Sequence, residues 1–124
     1  MIYAGGLQKW QQVSKMVDAM LVNQDNFEFR FFCPNPDALQ QKLPPQLKTS
    51  MALIIESKSN EEILAEYQQS HFGFILHENN IVNQVACPTK LIEYLALGVI
   101  PIIDSPEIGD FPSLGMQSIS IGDF

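Results

Sequence analysis

The chain has 124 residues, nearly half of them apolar, with 14 acidic residues against 7 basic and a formal charge of −7. That length suits one domain able to bury a core without metal or disulfide support, and the composition is that of an ordinary globular protein. The scattered basic residues exclude the Lys- and Arg-rich surface that nucleic acid requires, though a small phosphate-bearing ligand needs only a cation or two and a helix N-terminus.

Met1 to Gly5 reads as a short strand broken at Gly5-Gly6. From Lys9 to Asn23, Trp10, Val13, Val17, Met20 and Leu21 recur on one helical face, with Gln11, Ser14, Lys15 and Asp18 opposite. Phe27 to Cys33 alternates and is aromatic, as a strand does. Asp37 to Leu43 reads as a short helix ended by Pro44-Pro45, and Met51 to Ser57 as an apolar strand. Ser59 with Glu62 three positions on has the form of a capping box, opening a helix that carries Ile63, Leu64 and Tyr67. His71 to Glu78 is the next strand, followed by a polar loop and a helix from Pro88 to Leu97 with Gly98 placed to end it. The chain closes with a strand in VIPIID, where Pro101 removes a ladder donor, a Pro- and Gly-rich connection, and a last strand from Gln117 to Ile121.

Strand and helix alternate throughout, which predicts an α/β fold: a three-layer, Rossmann-like parallel sheet with helices on both faces. Residues 1–124 read as one domain, and the abrupt strand-like start and finish are those expected of a piece cut from a longer protein. Cys33 and Cys87 stand far apart, with no CxxC pair and no histidine at metal-ligand spacing, so two reduced thiols are expected. No apolar run has membrane-spanning length and no secretory leader opens the chain, which together predict a cytoplasmic location.

In an open parallel sheet, ligands bind beyond the C-terminal ends of the strands. The loops so selected are Gly5 to Lys9, Pro34 to Pro36, Glu56 to Ser59, His77 to Pro88 and Asp104 to Ile108. Neither GxGxxG nor GxxxxGK[ST] is present. The helix Pro88 to Leu97 is the least ordinary of the elements. On a wheel, Leu91, Ile92, Leu95 and Ala96 cover one side, while Lys90, Glu93, Tyr94 and Leu97 share the other. The charged side is half apolar, which predicts that something covers it and that its two charges face a cleft. Pro88 suits the first turn, leaving the free amides of Thr89 and Lys90 to hold a phosphate oxygen, with Glu93 one turn deeper to accept from two adjacent hydroxyls. A plain Lys–Glu surface pair, worth about 0.2–0.5 kcal/mol, explains the same spacing equally well.

PTKLIEYLALGVIPII resembles the P-x-K-x-x-E-Y block, followed by A-x-G-x-P, of GT-B glycosyltransferases, in particular those acting in bacterial polysaccharide and lipid-sugar synthesis. HFGFILHENN is similar to the strand that precedes this block in the family, and YAGGLQKW to its opening strand and glycine turn. The resemblance covers nearly the whole chain and implies the C-terminal, nucleotide-sugar-binding half of a GT-B fold, with strand order 3-2-1-4-5-6. By position it implies Glu93 on the ribose hydroxyls, and Thr89, Lys90, Gly5 and Gly6 beside the diphosphate of a UDP- or GDP-linked sugar. Lys9 stands where many relatives place a diphosphate-binding lysine, although the usual basic residues of that loop are missing. His77 falls where it could touch the donor sugar, but a solvated loop histidine is the plainer reading.

The resemblance further implies a full-length glycosyltransferase with a separate N-terminal acceptor domain, an acceptor that is a glycan or carried on a lipid, and scope for peripheral membrane association. No cofactor is implied, and no Asp-x-Asp suggests a metal. This chain alone is expected to bind the donor without turnover. Many retaining members carry a second glutamate eight positions earlier; here that position is Val85, so sugar identity and stereochemistry do not carry over. Two alternatives stay open: half of a GT-B-type sugar-nucleotide 2-epimerase, and a non-catalytic flavodoxin-like binding module. Trp10 fits core packing, His71 lies at the wrong end of its strand for a site, and Asp104 and Glu107 edge the cleft.

Overall fold

The computed structural model describes residues 1–6, 12–76, 89–104 and 117–124. Six strands form one parallel sheet: β1 (Ile2–Ala4), β2 (Phe29–Phe32), β3 (Leu53–Glu56), β4 (Phe72–Phe74), β5 (Ile100–Ile103) and β6 (Ile119–Ser120). Their order is β3-β2-β1-β4-β5-β6, the Rossmann-like order expected. Strands buried on both faces need apolar side chains at successive positions, and FRFF and IPII have that character, whereas LIIE at the sheet edge alternates half-buried and exposed.

The pleat sends neighbouring side chains to opposite faces. On one face Tyr3, Phe29, Phe31, Phe74 and Ile102 pack with Met16 and Met20 of α1 (Val13–Asn23), Leu39 of α2 (Pro36–Lys42) and Leu47 of α3 (Pro45–Lys48). On the other, Ile2, Ala4, Phe32, Ile75 and Ile103 pack with Tyr67 of α4 (Asn60–Gln68) and with Leu91 and Tyr94 of α5 (Thr89–Ala96). This is the three-layer α/β architecture.

Local chemistry accounts for the boundaries. The helix expected from Lys9 begins only at Val13, because Gln12 is left-handed at φ 53° and interrupts it; residues 9–11, and with them Trp10, lie outside the described residues. Met16, one turn before Met20, is buried although it was not among the expected core residues. Pro44-Pro45 does more than end α2. It also opens α3, with Pro45 at the first helical position, where its missing N–H costs nothing. The capping box forms as expected: Ser59 accepts from the Glu62 amide at 3.3 Å, and the Glu62 side chain accepts from the Ser59 amide at 3.1 Å. Gly98 follows α5 at φ +77°.

Pro101 is tolerated for a geometric reason. Ile100 donates its N–H to His71, and the Ile102 carbonyl accepts from Ile75, so these two residues face β4 and Pro101 faces the other way. There the ladder with β6 begins only at Ile102 opposite Ile119. The missing donor therefore falls before any partner strand starts.

Helix α5 sits otherwise than an amphipathic wheel suggests. Leu91 and Tyr94 are fully buried and Lys90 and Glu93 half-buried, whereas Ile92 and Leu95 of the apolar side are 48% and 38% exposed. The side that carries the charges packs, as its half-apolar character predicts, and Leu91 joins it from the other side. Gly73 of β4 is the cause: a Cβ there would come within 2.5 Å of the Tyr94 ring, so only glycine lets that ring lie against the sheet. The Tyr94 hydroxyl then donates to the Phe74 carbonyl at 2.9 Å. Among the described residues, no helix is long and apolar enough to cross a membrane.

Candidate functional site

A pocket of about 520 Å³ opens at the C-terminal ends of β1, β2 and β3. Gly5 and Gly6 form its floor after β1, Pro34 and Ser57 border it from the exits of β2 and β3, and Lys90 and Glu93 enter from α5. Strand β1 lies between β2 and β4, where the order of the sheet reverses direction. That is the crevice in which doubly wound sheets bind ligands.

Lys90 reaches across the tip of β1. Its ammonium stands 4.4 Å from the centre of the Tyr3 ring, within range of a cation–π contact. A Cβ on Gly5 would lie 2.7 Å from Lys90 Nζ and 2.9 Å from Tyr3 Oη, so glycine is what allows both groups to close over the turn. The Tyr3 hydroxyl donates to the Gly6 carbonyl at 2.7 Å and ties that turn down. Among the described residues, no oxygen pairs with the Lys90 ammonium by ion pair or hydrogen bond. Burial lowers its pKa to about 8, against the Glu93 charge, which pushes the other way. Burial likewise raises the Tyr67 hydroxyl, and the Glu93 charge adds to the rise.

The opposite wall carries a second lysine in a different state. Glu66 of α4 accepts from Arg30 Nη1 at 2.7 Å and from Lys58 Nζ at 3.1 Å, and Glu56 lies 3.9 Å from the same ammonium. Lys58 Nζ also stands 5.3 Å over the Phe32 ring. The Glu66 hydrogen bond is the main reason the Lys58 pKa is raised. Burial works to raise the Glu66 pKa, but the hydrogen bonds from Arg30 and Lys58 outweigh it and hold the carboxyl below its ordinary range.

Both walls are braced from behind. Tyr67 and Tyr94 meet edge to face with ring centres 5.0 Å apart, locking α4 to α5. The capping box fixes where α4 starts, and therefore where Lys58, just ahead of it, leaves β3.

Of the site residues expected from sequence, Gly5, Gly6, Lys90 and Glu93 are brought together on this one pocket. Thr89 begins α5, so its backbone is at the helix start; its side chain lies outside what is described. Lys9 and His77 lie outside the described residues, as do Val85, Cys87 and Glu107. Asp104 does not edge this pocket but pairs with Lys15 of α1 at 3.4 Å. His71 is exposed at the N-terminal end of β4, away from the pocket. Cys33 is a buried free thiol whose pKa burial raises.

Neither Lys58 and Tyr67, which line the pocket, nor Tyr3, whose ring lies under the Lys90 ammonium, was singled out from the sequence as a site residue. The strand-exit rule had selected Glu56 to Ser59, yet only as backbone; the lysine within that loop was the available signal. No family model matches the chain, and no curated protein matches it.

Proposed function

We propose that this chain is the donor-binding domain of a GT-B-type glycosyltransferase, one that holds a nucleoside-diphosphate sugar whose sugar is passed to a glycan or lipid-linked acceptor. The carrying observation is that Lys90 and Glu93 of one helical turn line the same crevice beside the Gly5-Gly6 turn. The diphosphate is held by the amides that open α5 and by the Lys90 ammonium. Glycosyl transfer leaves negative charge on the departing nucleoside diphosphate, and fixed donors at that position stabilise the charge as it grows. Glu93 accepts from the ribose hydroxyls, and the base lies toward the Pro34 and Ser57 side of the pocket. The unsatisfied, desolvated state of Lys90 supports this reading, since an anion would supply the partner that the described residues do not.

The strand order supports it over the flavodoxin-like alternative, whose order is 2-1-3-4-5 rather than the one observed here. In the full-length enzyme the acceptor site falls to another domain, so this chain binds donor without turnover. Calorimetric titration with UDP, GDP and FMN tests the reading. UDP or GDP binds, FMN does not, and Glu93→Ala weakens nucleotide binding on the order of tenfold, the loss of one charge-assisted hydrogen-bond pair. Nucleotide affinity unchanged in Glu93→Ala, or no binding of either nucleotide, would overturn it. Robust sugar transfer by this chain alone would overturn the assignment of acceptor chemistry to another domain.

A further inference from the structure

We infer that Lys90 is a carbonyl-reactive amine, and that the pocket accepts a phosphorylated aldehyde which Lys90 captures as an imine. The inference shares with the reading above the pocket, the Lys90 side chain and the helix start that would hold the phosphate, and it does not depend on the ribose contact given there to Glu93. Three geometric facts carry it. Lys90 lines a cavity of about 520 Å³, large enough for a small aromatic or sugar-sized aldehyde. It lies against the Tyr3 ring and the bare backbone of Gly5 rather than against a carboxylate. And Lys58, on the same pocket, is held by Glu66 and Glu56, so the site contains one engaged amine and one disengaged.

A lysine becomes a nucleophile when desolvation favours its neutral form. Among the described residues, the titratable groups that share this pocket with Lys90 are Glu93 on its own helix, Tyr67 from α4, and Cys33 and Lys58 at the exits of β2 and β3, while Tyr3 from β1 lies under its ammonium. Of these, Glu93 opposes the neutral form by its charge, and burial nevertheless prevails, with the pKa near 8. The chemistry balances without an oxidant or reductant. The ammonium gives a proton to water, and the freed electron pair attacks the carbonyl carbon, forming C–N as the C–O π bond breaks. A proton moves from nitrogen to oxygen, and the carbinolamine then loses water to leave C=N.

The test uses pyridoxal 5′-phosphate at equimolar concentration, borohydride reduction of the imine to a stable secondary amine, and peptide mass mapping. Lys90 carries the adduct with a preference over Lys58 on the order of tenfold or more, because a far larger fraction of its amine is neutral near pH 8. The Lys90 labelling rate rises through about pH 8. Glu93→Gln speeds labelling at pH 7, since removing the carboxylate charge leaves the amine more often neutral, a response that a merely exposed lysine would not show. Lys90→Arg, which keeps the charge, abolishes the adduct. Labelling that tracks exposure, with Lys15 ahead of Lys90, or that spares Lys90 altogether, would overturn the inference. A Lys90 adduct in a protein that binds neither UDP nor GDP sinks the donor reading alone; binding of either nucleotide without a Lys90 adduct sinks this one alone.

Discussion

Lys58 and Lys90 border the same pocket from opposite walls, and the fold treats them in opposite ways. Lys58 is surrounded by carboxylates and held in its charged form, with Glu66 shared between it and Arg30. Lys90 is placed over an aromatic ring and a glycine turn, with its charge disfavoured by burial. The first arrangement is one that stability alone would select. The second costs the folded state free energy and returns only a cation–π contact until a ligand arrives, which is the pattern expected where a structure is strained for function.

Removing the disfavoured charge breaks the comparison most sharply. Holding the amine near 8 rather than 10.5 costs on the order of 3 kcal/mol at neutral pH, at about 1.4 kcal/mol per pH unit. Lys90→Met keeps the length and apolar stem of the side chain and gives up a cation–π contact worth about 0.5–1 kcal/mol. Urea unfolding at pH 7 should therefore show the variant more stable by about 2 kcal/mol, even as nucleotide binding is lost. The sign is set by linkage. Between about 8 and 10.5 the unfolded wild type binds more protons than the folded one, so wild-type stability rises across that window and the advantage of the variant fades. A Lys90→Met protein no more stable than wild type at pH 7 would mean that the ammonium is already solvated or paired.

How much of this pair could be read in advance differs between its members. The alternation of strands and helices, the capping box and the helix stop at Gly98 are local signals, whereas the sheet order was expected only from the family resemblance. Lys90 and Glu93 were legible because a half-apolar charged face is odd in any solvated helix. How closely that face of α5 packs was less legible, because it depends on Gly73 of β4 making room for Tyr94, a contact between elements that no periodicity encodes. Lys58 went unread for the same reason. Its state is set by Glu66 and Glu56, from two different elements, and by the Phe32 ring beneath it. Tyr3 looks like any strand residue until its ring is seen under a lysine from another layer.

The Lys58 wall is tested by Glu66→Gln. The neutral amide leaves Arg30 and Lys58 without their shared counter-charge, in a position only 14% exposed at the residue-66 side chain. The expected loss is about 1–2 kcal/mol at pH 7, between the values for surface and buried pairs. Because the folded-state carboxyl is held below its ordinary value of 4.5, the stability it supplies is present above that value and lost as pH falls through the lower folded one. Unfolding curves of wild type and variant should thus converge in acid, the reverse of the alkaline convergence expected for Lys90→Met. A gap that persists unchanged to low pH would show the cost to be packing rather than charge.

The smallest effect on stability, and the finest probe of the Lys90 wall, comes from Gly5→Ala. The added methyl group meets Lys90 Nζ at 2.7 Å, the far end of a flexible side chain, and the buried Tyr3 ring, with Oη at 2.9 Å and Cζ at 3.2 Å. Gly5 does not occupy the left-handed region, so alanine there carries no backbone strain and gains a few tenths of a kcal/mol from a stiffer unfolded chain. That gain offsets the displaced cation–π contact and the weakened Tyr3–Gly6 hydrogen bond, leaving a net change within about 1 kcal/mol. The ammonium, pushed off the ring and toward water, should recover a more ordinary pKa. NMR titration of the Lys90 side chain, labelled at Cε, reads that recovery directly as a midpoint moving upward from about 8 toward 10.5. A midpoint that stays put with an alanine in place would show that the glycine turn is not what holds the amine in its neutral-leaning state, and that the desolvation arises elsewhere along the side chain.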